Sequence, residues 1–317
     1  MRTDEKMPHI PVLLNETLNV FNEIPSGTFV DATLGMGGHS AAILRANPDL
    51  DLLGMDQDTA AIAIATENLA EFGGRVRIVH SNFSNIANVT RESGVENVSG
   101  VLADLGVSSL QLDTEGRGFS FRFDDPLDMR MDTASGGETA ADILATRSEA
   151  EIADIIYLYG EERASRRIAR RIVERRERGE PVTTTGELAR LVAGAFPGKR
   201  REKIHPATRT FQALRIAVNN EIEILDRFLL DAFDLLTHEG VLAVITFHSL
   251  EDRIVKQRFR KLTGRCECPP RMPVCVCRAE KRGRLAAKKA IVPTDEETRS
   301  NPRSRSAKLR AIVRIDN

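Results

Sequence analysis

Short unbroken apolar runs and helix-spaced apolar positions alternate through roughly the first hundred residues. Thr28-Phe29-Val30 ends at Asp31, Leu52-Leu53-Gly54-Met55 ends at Asp56, Val76 to Val79 forms a third run, and Val98 to Ala103 ends at Asp104. Such runs, bounded by turn residues, predict strands buried on both faces. One helical pattern opens at Ser40. Another runs from Thr59 to about Phe72, with Asp58 as its N-cap, Ile62, Ile64 and Leu69 as apolar positions, and Gly73-Gly74 as its stop. This alternation predicts an α/β fold with a parallel, doubly wound sheet, which binds ligands at the carboxyl ends of its strands. Asp31, Asp56, Phe83 and Asp104 all fall at or just past such ends.

The pattern then changes. Gln111 to Met131 is rich in Gly and Asp and has no clear period, and Thr139 to Phe196 carries only helical patterns. A helix expected over Glu161 to Arg178 is dense in arginine, with an apolar stripe at Ala164, Ile168 and Ile172. Its glutamates suit a solvated helix laced with ion pairs; its arginines, with the nearby run Lys199 to Lys203, suit a phosphate-binding face. A long helix is expected over Thr208 to Leu236. Val241 to Phe247 then reads as a strand, and Leu309 to Ile315 as a last strand paired with Leu285 to Val292. The sheet therefore resumes after the helical stretch, which makes that stretch an insertion.

The turn after the first strand reads Gly35-Met36-Gly37-Gly38-His39-Ser40. Glycines there let backbone approach a ligand and leave helix N–H groups to bind it. Asp56, about 20 residues further on, is placed to take the hydroxyls of a ribose. Ser40 stands where the dinucleotide fingerprint has its third glycine. An acid before the turn, Asp31, suits a cationic ligand such as S-adenosylmethionine. After the fourth strand comes Asp104-Leu105-Gly106-Val107-Ser108-Ser109. Methyl transfer from a sulfonium demands alignment more than a strong base. Asp104 and Ser109 are therefore candidates for catalysis, with plain turn capping as the alternative. His248 is a candidate for a base contact or proton relay, or else a polar strand end beside a helix capped by Ser249 and Asp252.

Composition narrows the setting. The chain has 317 residues, 41% hydrophobic, which suffices for one large domain and a smaller one. No run approaches the ~20 apolar residues of a membrane span, and the start lacks a signal-peptide core. All four cysteines lie between Cys266 and Cys277, clustered rather than spread as a disulfide framework, so a reducing, cytoplasmic setting is expected. Cys266, Cys268, Cys275 and Cys277 suit a tetrahedral zinc site in number. Their C-x-C spacing departs from the C-x-x-C of zinc knuckles and favours reduced thiols on a proline-stiffened loop. Net charge is −1, so nucleic-acid binding must come from local patches.

Taken in order, these motifs resemble the bacterial MraW family, also called RsmH, the 16S rRNA (cytosine-N4)-methyltransferases. The resemblance starts at His9-Ile10-Pro11-Val12 and includes Gly35 to Ser40, Asp104 to Ser109, Arg117-Gly118-Phe119-Ser120-Phe121 and Pro126 to Asp132. Tyr159-Gly160-Glu161-Glu162-Arg163, His205 to Arg215 and Phe247 to Arg253 complete it. It implies a class I S-adenosylmethionine-dependent methyltransferase with an inserted all-helical substrate domain. The expected boundaries are 1–112, 113–206 and 207–317. It implies S-adenosylmethionine as cofactor, with contacts from Gly37, Gly38, His39, Asp56, Phe83, Asp104 and Gln111; Gly35, in the same turn, is a further candidate by its position. It also implies a cytidine in the decoding centre as acceptor, within 16S rRNA or the small ribosomal subunit, and no DNA or membrane partner. Arg163, Arg167, Arg170, Arg171, Lys199, Arg200, Arg209 and Arg215 are the expected RNA contacts. Amino-methyltransferases usually carry an Asn/Asp-Pro-Pro-aromatic loop where this chain has Asp104-Leu105-Gly106-Val107. The alternatives are a methyltransferase acting on a non-RNA substrate and a non-catalytic RNA-binding assembly factor.

Overall fold

The computed structural model describes residues 10–134, 136–196, 205–266, 268, 272, 276 and 279–316. Lys199, Arg200, Cys275 and Cys277, and the N-terminal His9, lie outside the described residues. The chain divides into two units, 1–106 with 223–317, and 107–222. The expected boundaries of the insertion, 113 and 206, fall inside the second unit. Val107 to Asp113 and the run His205 to Arg215 thus belong to the helical unit.

The first unit is built on a seven-stranded sheet. Its strands are β1 (Gly27–Asp31), β2 (Leu50–Asp56), β3 (Val76–His80), β4 (Val98–Asp104), β5 (Leu236–Thr246), β6 (Gly283–Leu285) and β7 (Lys308–Arg314). They lie in the order β3-β2-β1-β4-β5-β7-β6. β1 pairs in parallel with β2 and β4, and β4 with β5, while β7 runs antiparallel to β5 and β6. The apolar runs are continuous because both faces are buried. Along β5, Leu242 and Val244 join one core with Phe228 and Phe233. Val241, Ala243 and Ile245 join the other with Phe29 and Leu52. The order of strands reverses between β1 and β4, and the tips of β1, β2, β4 and β5 share one edge. A doubly wound sheet binds its ligands at that point.

Several expected elements shift. The helix after β2 is α-helical over Thr59–Asn68 and continues as a 3-10 helix, and its buried stripe is Ala61, Ala65 and Leu69. The small alanines let the glycine turn sit against it, whereas Ile62 and Ile64 are only partly buried. The long helix after Pro206 is two helices, Thr208–Asn219 and Glu221–Leu235. Asn220 between them has φ 51, a left-handed conformation that ends a helix and that asparagine tolerates better than most residues.

The second unit has a core of its own. Phe119, Leu127, Met129 and Met131 from the aperiodic stretch pack with helices Ala140–Thr146, Glu149–Gly160, Ser165–Glu177, Thr185–Gly194 and Thr208–Asn219. Asn219 staples the stretch, donating to the Met129 carbonyl at 2.8 Å and accepting from the Met131 amide at 2.9 Å. Capping boxes at Thr139/Asp142, Ser148/Glu151 and Thr184/Glu187 start three of the helices. The arginine-rich helix begins at Ser165 rather than Glu161, because Glu161 takes φ 48 and closes the preceding helix. It buries Ser165, Ile168, Ala169, Ile172 and Val173, the i, i+3, i+4, i+7, i+8 face of an amphipathic helix.

Candidate active site

Asp31 ends β1 and is 2% exposed. One carboxylate oxygen accepts from the Ser40 hydroxyl at 2.6 Å and the other from the Thr33 amide at 3.2 Å. Ser40, the departure from a third glycine, thus serves the acid before the turn. Burial raises the Asp31 pKa to about 6 against these bonds, with a small addition from Asp56.

The turn itself needs its glycines. Gly35 and Gly37 have φ 53 and 79, the left-handed region. A Cβ on Gly38 would lie 2.7 Å from Pro11 Cγ, so the helix Gly38–Ala46 starts too close to Pro11 for any side chain. The turn is tied to β2 by the Gly35 amide, which donates to Asp56 at 2.7 Å. The second Asp56 oxygen accepts from the Asp58 amide at 2.8 Å. The Gln57 amide adds a third bond, against the about four acceptor sites that a carboxylate offers. Burial raises the pKa of Asp56, opposed by the bonds from Asp58 and Gly35.

Asp104 ends β4. Its amide donates to Thr33 Oγ1 at 2.6 Å. One carboxylate oxygen lies 3.8 Å from His39 Nε2, and the other is buried with no hydrogen-bond donor among the described residues. Burial, then repulsion from Asp31 and Glu251, pushes its pKa up to about 8. Glu251 is a member of this group that sequence patterns did not single out. Its carboxylate accepts from the Phe247 and His248 amides at 2.9 and 3.3 Å. The cap of helix Ser249–Leu262 is His248, not Ser249. Its Nδ1 accepts from the Glu251 amide, and Glu251, not Asp252, closes the box. Asp252 pairs instead with Arg310 and Lys308. His248 Nε2 lies 3.0 Å from the Glu251 carboxylate, and the side chain is 8% exposed. A helix opening directly off a strand was the signal for that cap. Its chemistry was hidden because histidine is an uncommon N-cap.

Phe83 follows β3 and is a core member, edge-on to Phe228 with ring centroids 5.0 Å apart. Gln111 and Ser109 lie in the helical unit, on the short helix Ser109–Asp113. There Gln111 closes a capping box with Ser108 and is buried.

The arginines split along their helix. Arg175 binds Glu187, and Arg176 donates to the carbonyls of Leu144, Ala145 and Arg147, so both hold the unit together. Arg163, Arg166, Arg167, Arg170 and Arg171 are exposed. Arg167 lies over the Phe196 ring, and Arg170 is 3.8 Å from Glu149. Arg209 is exposed, 3.8 Å from the buried Glu162. Arg215 was expected among the RNA contacts. It makes two 2.8 Å bonds to Glu221 and is 12% exposed, so its charge is met within the unit. Cys266 and Cys268 are the described half of the cysteine loop.

The strand order, the reversed β7 and the glycine turn after β1 define the class I S-adenosylmethionine-dependent methyltransferase fold. The sequence profile of the MraW methylase family matches residues 6–315, and the chain belongs to that family. Ribosomal RNA small subunit methyltransferase H from Geobacter sp. is 50% identical over 313 residues, spanning 98% of this chain and 100% of that protein. The proteins of the same name from Trichlorobacter lovleyi and Carboxydothermus hydrogenoformans are 49% and 50% identical. They cover 98% and 97% of this chain and 99% and 98% of their own lengths.

Proposed function

We propose that this chain transfers a methyl group from S-adenosylmethionine to the exocyclic N4 of a cytidine in the decoding centre of 16S rRNA. The observation that carries the reading is the cluster of buried carboxylates at the strand tips, in a chain of this family. Asp31 is buried and Asp104 partly so, its side chain 28% exposed with one oxygen closed off; their pKa values are raised to about 6 and about 8, and among the described residues no basic side chain pairs with them apart from His39 beside Asp104. An unbalanced negative cluster of this kind suits a ligand that brings its own positive charge.

The residues fit that cofactor. One oxygen of Asp104 is buried without a donor among the described residues, and at Gly35 the turn is open, with only the Thr33 carbonyl, 3.9 Å away, near the place of a Cβ. When bound, S-adenosylmethionine supplies an electrophilic methyl group on a cationic sulfur. Asp56 would accept from the ribose hydroxyls, with the turn at Gly35, Gly37 and Gly38 meeting the rest by backbone. His39 and Asp104 would face the charged end, and Phe83 the adenine. His248, whose ring caps a helix, would orient Glu251 rather than act on the base.

The acceptor amine is buried in folded RNA and must be turned out of its stack to react. Arg163, Arg167, Arg170, Arg171 and Arg209 would hold the surrounding phosphates, giving affinity without sequence choice. The test is mass mapping of nucleosides. Small-subunit rRNA lacking the modification, both naked and assembled, is incubated with the protein and S-adenosylmethionine. A cytidine methylated on N4 is expected; no methylated cytidine, or a methyl on ring carbon, would refute the proposal.

A further inference from the structure

Asp104 faces groups of one sign on most sides. Asp31 ends β1 beside it, Glu251 reaches it from the first turn of helix Ser249–Leu262, and Asp56 adds to the charge at Asp31. His248 is turned onto Glu251, and His39 Nε2 lies 3.8 Å from an Asp104 oxygen. The other Asp104 oxygen is buried without a hydrogen-bond donor among the described residues. The side chain as a whole is 28% exposed, so a ligand can reach it, while the acids around it disfavour its charge.

We infer that Asp104 exchanges a proton for the positive charge of the cofactor, and takes a proton back when methyl transfer removes that charge. This rests on the methyltransferase reading above. In the ligand-free protein Asp104 carries a proton at neutral pH, in keeping with a pKa raised to about 8. A sulfonium placed at the strand tips favours the carboxylate, so binding expels the proton. During transfer the amine nitrogen forms its bond to the methyl carbon, and the S–C bond breaks with its electron pair going to sulfur. The sulfur is then neutral and the nitrogen carries the positive charge. Asp104, again facing mainly carboxylates, becomes a better base at the moment the methylated nitrogen must lose a proton. The N–H electron pair returns to nitrogen and the proton ends on Asp104. The chain thereby needs no permanently basic residue.

The test is calorimetry of cofactor binding to the whole protein in buffers of different ionisation enthalpy, which counts protons released. S-adenosylmethionine at pH 7 should release about one proton, because a group titrating near 8 is mostly protonated there. S-adenosylhomocysteine has the same ammonium and carboxylate but a neutral sulfur, and should release markedly less. Release should fade as the pH passes about 8. Asp104→Asn should abolish the difference between the ligands. Equal release with both ligands, or none with either, in the wild-type protein would overturn the inference even if the variant failed to fold. Failure of the wild-type protein to bind S-adenosylmethionine at all would instead sink the reading beneath it.

Discussion

Asp104 and Arg170 are both ionisable, and they sit in opposite physical settings. Asp104 is at the tip of β4 in a group of carboxylates, with one oxygen closed off from water and from any donor among the described residues. Arg170 stands on the polar face of helix Ser165–Glu177, with Glu149 3.8 Å away and both side chains largely in solvent. In the sheet unit, burial raises the pKa values of Asp31, Asp56 and Asp104 above the ordinary carboxylate range. In the helical unit, exposure leaves the arginines with their full charge. Each exposed ion pair is then worth little, but the summed field acts on a polyanion over a Debye length. On the proposed function, the sheet unit would hold a small cation with few groups, and the helical unit a large anion with many weak ones.

The sharpest way to break this contrast is at Asp56. Asp56→Ala should weaken S-adenosylmethionine binding by about 2–3 kcal/mol, the value of losing hydrogen bonds to a charged acceptor. The Gly35 amide would lose its acceptor as well, so the turn loosens. Calorimetry on the folded variant checks this; unchanged affinity would remove Asp56 from the cofactor site.

Stability against pH sharpens the contrast next. Burial raises Asp31 and Asp104 above their ordinary value of 3.8, to about 6 and about 8. Between about pH 4 and 8 the folded chain therefore holds protons that the unfolded chain has shed, and stability falls as pH rises. Asp104→Asn should lessen that fall and stabilise the ligand-free protein at pH 8. Chemical denaturation at several pH values measures it. A wild-type stability that rises over the same window would contradict the assignment of buried protons.

A smaller effect separates packing from chemistry at His248. His248→Ala should cost about 1 kcal/mol through loss of an N-cap, and His248→Asn should restore most of it. If His248→Asn restores stability but not methyl transfer, the imidazole has a chemical part beyond holding Glu251.

The sheet was legible because its central strands β1, β2, β4 and β5 are buried on both faces, which forces unbroken apolar runs, and because an acid marks the tips of β1, β2 and β4 at Asp31, Asp56 and Asp104. The glycine turn was legible for the same local reason. What escaped depended on packing across the fold. Ser40 bonds to Asp31, Thr33 takes the Asp104 amide, and Glu251 enters the cluster only once β5 lies beside β4. The break at Asn220 escaped because a left-handed asparagine leaves no mark in the hydrophobic pattern. Among the arginines, composition alone did not tell Arg176, spent on three backbone carbonyls, from Arg170.

The division of labour between the two units is tested most directly by neutralising Arg163, Arg167 and Arg170 to Gln together and titrating both ligands. The affinity of the variant for small-subunit rRNA, measured across a salt series, should fall. Its log–log salt slope should shrink by roughly 0.7–0.9 for each phosphate that is no longer neutralised, while its affinity for S-adenosylmethionine stays at the wild-type value. RNA affinity and salt slope unchanged in the triple variant would contradict the account, leaving the arginine face a solvated surface.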